Sequence, residues 1–140
     1  MPSKNIRIRV PEPISGGLIL SYRCTASCIP SFLRNWHNHF DSYCNYIPGY
    51  CGGISLGDCR ELDRLLEEGL NGDDFPVLSF LVKDDFEGLL SFARSYGYII
   101  DKEGYFSKCH LCVDIRRHLA INGRFRELWP TEFYLHLEEG

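Results

Sequence analysis

Seven cysteines, Cys24, Cys28, Cys44, Cys51, Cys59, Cys109 and Cys112, are spread through 140 residues. Their number is odd, and Met1 to Val10 carry basic side chains without the apolar core and small-residue cleavage site of a secretion signal. A disulfide framework is therefore not the expected use. Clustered thiols in a reducing compartment more often bind metal or do redox work. The strongest local motif is Cys109-His110-Leu111-Cys112. On a helix, positions three apart share a face, so both sulfurs can point at one ion or cluster. Ser107 is placed to cap that helix, and the unpaired N–H groups and dipole of a first turn favour the thiolate, which is the ligating form.

A pair does not close a site, because iron–sulfur clusters and structural zinc usually take four protein ligands. Cys51 is the best third ligand. It follows the turn-forming stretch Asn45 to Gly49, and Gly52-Gly53 lets backbone N–H groups come close to a cluster. Cys28 or Cys24 would supply the fourth. Cys44 stands next to Asn45 at a turn position where glycine would be comfortable and reads as a spare thiol. Cys59 falls in the first turn of a helix and reads as a packing residue. His110, between the helix cysteines, could donate a hydrogen bond to a cluster sulfide. In Trp36-His37-Asn38-His39 the histidines would share a strand face near Asp41 and could take a divalent ion, but hydrogen bonding to loop backbone is the preferred reading. Thiolate ligation suits zinc as well as iron, so spacing alone leaves the metal open.

The elements that must hold these residues are α+β: a small strand-rich, cysteine-bearing front followed by a helical back half. Gly17 to Arg23 predicts a buried strand, and His39 to Tyr50, rich in aromatics and turn formers, predicts two short strands or a hairpin. Asp58 and Glu61 make a capping-box-like start for a helix with Leu62, Leu65 and Leu66 on one face and Gly69 as its stop. Pro76 opens a segment to about Val82, and Asp84 or Asp85 caps a helix with Phe86, Leu89, Leu90 and Ala93 facing the core. Tyr98 to Gly104 reads as a strand and turn, and Lys108 to about Ile121 as the cysteine-bearing helix. Pro130 begins a last helix with Phe133, Leu135 and Leu137 apolar. The net charge of −4 removes the electrostatic reason to expect nucleic acid, and Arg116-Arg117 and Arg124/Arg126 read as solvated helix positions. No apolar run approaches the ~20 residues of a membrane span, so a soluble, cytoplasmic chain with no membrane partner is expected.

The segment GGLILSYRCTASC, ending at Cys28, resembles the first barrel strand and cysteine loop of radical S-adenosylmethionine (radical SAM) enzymes. In that family a Cys-x3-Cys-x2-Cys motif holds a [4Fe-4S] cluster whose fourth iron takes S-adenosylmethionine. Cys24 and Cys28 match the first two positions, and the third falls on Ser31. From about Trp36 onward the chain resembles the SPASM-type C-terminal auxiliary region of the same superfamily, through the turn from Asp41 to Cys51 and the helix KCHLCVDIRRHL. The resemblance implies a remnant of the radical SAM strand and loop over residues 1–31 and an auxiliary iron–sulfur region over 32–140. The barrel would be incomplete, since about 200–250 residues are needed for one, as though an internal deletion had joined the two parts. It further implies an iron–sulfur protein without turnover of its own, holding one auxiliary [4Fe-4S] cluster through Cys51, Cys109, Cys112 and Cys28 or Cys24. Two alternatives stand beside it. One is an active radical SAM enzyme, using S-adenosylmethionine, whose barrel or substrate is supplied by a partner protein. The other is a zinc-stabilised interaction module.

Overall fold

The computed structural model describes residues 27–28, 39–48, 51–102 and 104–138. The predicted front strand from Gly17 to Arg23, Cys24, and most of residues 1–31 lie outside the described residues, as does His37. The sheet begins at an acidic turn. Asp41 Oδ1 accepts the N–H groups of Tyr43 and Asn45, both at 2.9 Å, and its Oδ2 accepts from Asn45 Nδ2 at 3.0 Å. This Asx arrangement reverses the chain between β1 (His39–Phe40) and β2 (Asn45–Ile47), which pair antiparallel with His39 opposite Ile47. The predicted hairpin is therefore present. β3 (Gly57–Asp58) adds to the free side of β2, antiparallel, with Asn45 opposite Asp58, giving the order β1-β2-β3.

Asp58 ends the sheet and starts the helical part. Its side chain accepts from Arg60 N at 2.9 Å and pairs with the Arg60 guanidinium, which holds the exposed carboxyl down at about 2. A 3-10 turn over Cys59–Glu61 leads into α1 (Leu62–Glu68), and Gly69 follows as its stop. The leucine face expected on α1 is not a core face. No residue of α1 is buried, and Leu66 is 65% exposed, because the helix packs on the sheet edge through Leu65 against Gly57.

The core forms where α2 (Pro76–Val82), α3 (Phe86–Ser95) and α4 (Lys108–Asn122) meet. Val77, Leu78 and Leu81 come from α2, Phe86, Leu89, Leu90 and Ala93 from α3, and Leu111, Ile115 and Leu119 from α4. The i, i+3, i+4, i+7 spacing of α3 predicted its set residue for residue. Asp85, rather than Asp84, caps α3 by accepting from Gly88 N at 2.9 Å. Ser107 caps α4 as expected, accepting from His110 N at 3.1 Å.

Two expectations change. The described residues of Tyr98 to Gly104 form no strand. The hydroxyls of Tyr98 and Tyr105 instead lie 2.7 Å apart, and each reaches Asp114 Oδ2 at 2.7 Å, so side chains rather than a ladder anchor this segment. At the C-terminal end, α5 is a single turn (Glu132–Leu135). It buries Tyr134 completely and leaves Leu135 and Leu137 about half exposed, because the Tyr134 hydroxyl, not the leucines, finds partners inside. The chain is thus α+β. Among the described residues no helix is long and apolar enough to cross a membrane.

Glu127 joins the two halves. It is fully buried, its Oε1 accepts from Val77 N at 2.7 Å at the start of α2, and its carbonyl accepts from Ser55 N at 2.7 Å. The residue preceding α2, Phe75, offers no side-chain cap, so Glu127 supplies one from a distance. Burial pushes its carboxyl above the ordinary value of 4.5, and Oε2 has no partner among the described residues. The folded state therefore binds this proton more tightly than the unfolded chain. Its stabilising contribution is full below about pH 4.5 and fades as pH rises through the folded value. Glu127→Gln, which keeps the acceptor and removes the charge, should abolish that fading in urea titrations run across pH. Glu127→Ala should cost about 2–3 kcal/mol by leaving Val77 N–H unsatisfied.

Candidate metal centre

Four of the five predicted ligands fall within the described residues, two of them in the N-terminal part of α4. Cys109 and Cys112 stand one turn apart there, Cys109 exposed and Cys112 buried. Cys51 lies in the turn before Ile54, half-buried; its N–H donates to Pro48 O at 3.0 Å and its carbonyl accepts from Ile54 N at 3.3 Å. Burial pushes the Cys51 thiol up, Arg116 opposes that, and the thiols of Cys112, Cys28 and Cys109 add to it. The Cys51 thiol thus feels the thiols of Cys112, Cys28 and Cys109. As placed, no three of the described histidine, cysteine, aspartate and glutamate side chains are close enough to hold one metal ion.

Cys28 is brought to this place by Asp84. The Asp84 carboxylate accepts from Cys28 N at 2.8 Å and from the Ser27 hydroxyl, and these hydrogen bonds hold its carboxyl below the usual range. Asp84 itself sits in the left-handed region, φ 54°, between α2 and α3. Burial pushes the half-buried Cys28 thiol up, while the ammonium of Lys108, the first residue of α4, acts in the opposite sense.

His110 uses one ring nitrogen to hold the backbone before α4. Its Nδ1 accepts from Phe106 N at 3.2 Å, and its ring stacks on Phe106 with centroids 5.5 Å apart. The imidazole thus fastens the chain entering α4, with Nε2 left to carry the proton in the neutral tautomer. Cys44 and Cys59 lie elsewhere, at the β2–β3 end of the sheet.

The residue that sequence reasoning misplaced is Arg116. Expected as a solvated helix position, it is 3% exposed. Its Nη1 donates to Gly52 O at 2.8 Å and to Tyr134 Oη at 3.0 Å, while its Nε has no hydrogen-bond partner among the described residues. Tyr134 Oη donates in turn to Gly53 O at 2.5 Å. Arg116 makes no ion pair with a carboxylate among the described residues. Burial works against its charge, and the Tyr134 hydroxyl with the thiols of Cys112 and Cys51 outweighs burial and favours the protonated form. The signal was present in the spacing. Cys112, Ile115, Arg116 and Leu119 follow i, i+3, i+4, i+7, which places Arg116 inside the apolar stripe of α4.

Thiols at Cys28, Cys51, Cys109 and Cys112 and the Arg116 guanidinium are the chemical types that an anionic metal–thiolate group would take, though as placed no three described ligand side chains close on one ion. Four thiolates around a doubly positive core leave a net negative charge, and a buried guanidinium with an unpaired N–H is the complement it needs. Comparison of the chain with family models, with curated proteins and with solved structures finds no match.

The turn carrying Cys51 depends on Gly53. Its φ is 82°, and a Cβ there would stand 2.3 Å from Phe133 Cε1 and 2.8 Å from Tyr134 Oη. Gly53→Ala should destabilise the fold by about 2–4 kcal/mol, combining left-handed strain with overpacking, as read by chemical denaturation.

Proposed function

We propose that the chain is a metal–thiolate protein in which Cys28, Cys51, Cys109 and Cys112 hold one [4Fe-4S] cluster of auxiliary type. The observation that carries this reading is the buried Arg116 beside Cys51 and Cys112, which pairs with no carboxylate among the described residues. A guanidinium stays protonated in a protein, so it cannot relieve its burial by losing charge. A metal–thiolate centre supplies the missing negative charge at the place where the structure has thiols. The convergence of Cys28 on the other three supports it as the fourth ligand of this set. Iron rather than zinc rests on the likeness of the Asp41-to-Cys51 turn and the KCHLCVDIRRHL helix to SPASM regions. The S-adenosylmethionine chemistry implied by the front segment would need Cys24 and the Ser31 position, both outside the described residues, and forms no part of this proposal.

Such a centre would cross-link the Cys51 turn, the Cys28 segment and the first turn of α4. Its service is electron storage or structural closure of that end of the molecule.

Anaerobic purification followed by iron, zinc and sulfide analysis tests the reading. The expected protein is brown, with broad absorbance near about 400 nm and iron matched by acid-labile sulfide. Cys51→Ser and Cys112→Ser should each lose most of the iron, while Cys44→Ser retains it. A colourless protein with stoichiometric zinc would contradict the cluster, and full metal in both serine variants would contradict the site.

A further inference from the structure

A second pair of thiols, remote from the first, stands on the β2–β3 end of the sheet. Because Asn45 is opposite Asp58, the same register carried one step past the strand ends sets Cys44, in the bend before β2, beside Cys59, which opens the 3-10 turn after β3. Cys59 N donates to Cys44 O at 2.8 Å, which fixes their backbones side by side. Facing residues of antiparallel strands lie about 4.5–5.5 Å apart at Cα, inside the range a disulfide spans. Both are free thiols, Cys44 exposed and Cys59 half-buried.

The backbone of Cys44 is held in an uncommon conformation. Its φ is 61°, a conformation that glycine or asparagine adopts at little cost and cysteine does not. The Asp41 turn enforces it, with Cys44 N donating to Asp41 O at 3.2 Å. Strain kept at a single exposed residue points to use of its side chain.

The surroundings indicate a reaction partner. A cleft of about 1100 Å³ is lined by Cys44 together with Arg60, Arg124 and Arg126, and Asp58 is its one carboxylate among the described residues. Arg60 is paired with Asp58 and lies near both thiols. The cleft thus offers room and positive charge beside an exposed sulfur.

We propose that Cys44 and Cys59 form a reversible disulfide by exchange with an anionic small-molecule disulfide admitted by this cleft. The Cys44 thiolate attacks one sulfur of the small disulfide, whose other sulfur leaves as a thiolate. Cys59, its proton lost to solvent, then attacks Cys44 Sγ and displaces the second small thiolate. Two protein thiols are oxidised and one small disulfide is reduced to two thiols. The proposal does not depend on the metal centre.

The test uses the full chain in glutathione buffers of stepped oxidised-to-reduced ratio. Samples are quenched by acid and alkylation, cut at aromatic residues, and mapped by mass spectrometry. The expected product is a Cys44–Cys59 bond with the other cysteines still alkylated. Its yield should fall at least tenfold in Cys59→Ser and Cys44→Gly, the latter keeping an equal or higher thermal midpoint because glycine suits the left-handed turn. Oxidised glutathione should react about tenfold faster at low salt than the neutral bis(2-hydroxyethyl) disulfide. Separate glutathione adducts on Cys44 and Cys59, or a bond from either one to Cys51, would overturn the pairing. Equal rates with the neutral disulfide would overturn the role of the cleft.

Discussion

A guanidinium sealed among thiols, a phenol and two backbone carbonyls is the constraint around which the cysteine end of this molecule is arranged. Arg116 leaves α4 on the same face as Cys112, one turn away, and its Nη1 reaches Gly52 O and Tyr134 Oη. Tyr134 passes the connection on to Gly53 O. One side chain thus ties the Cys51 turn, the long helix and the terminal single-turn helix into a unit. Those hydrogen bonds neutralise no charge, however. A buried ion needs an opposite charge as well as acceptors, or several kcal/mol of desolvation stands against it. On the proposed reading the thiols of Cys51 and Cys112 would supply it as metal-bound thiolates.

Glu127 shows the other solution to the same problem. It too is fully buried and has one polar atom without a partner, but a carboxyl can take up a proton. Burial pushes it in that direction, and it serves as the acceptor for Val77 N–H at the start of α2. The chain therefore places a titrating group where it needs a cap and a non-titrating one where it needs permanent positive charge. The difference follows from side-chain chemistry, since the guanidinium alone holds its charge at any pH at which the fold exists.

The helical part was legible because its signals are local. Asp85 and Ser107 as caps, Pro76 at a helix start, and the Phe86-Leu89-Leu90-Ala93 stripe each depend on a few neighbouring residues. The β1–β2 hairpin was legible through its turn formers, and Cys44 was correctly placed at a position suited to glycine. The failures are all long-range. Leu62, Leu65 and Leu66 repeat with helical period, yet α1 meets the sheet edge through Leu65 and buries none of its residues, so the stripe stays outside. Tyr98 was assigned to a strand by composition, whereas its hydroxyl bonds Asp114, sixteen residues on. The spacing that put Arg116 in the apolar stripe was overruled by the general habit of arginine to face water. At the site, the shared face of Cys109 and Cys112 was readable from the sequence. The capture of Cys28 by Asp84 was not, because it joins residues fifty-six apart.

Charge compensation at Arg116 is the central claim, and a two-by-two comparison of stability tests it most directly. Wild type and Arg116→Met are each unfolded by denaturant with and without the reconstituted metal centre. The account predicts that loading stabilises the wild type by at least about 1.4 kcal/mol more than the variant, a tenfold coupling between the cation and the centre. Equal stabilisation of the two proteins by loading would contradict it.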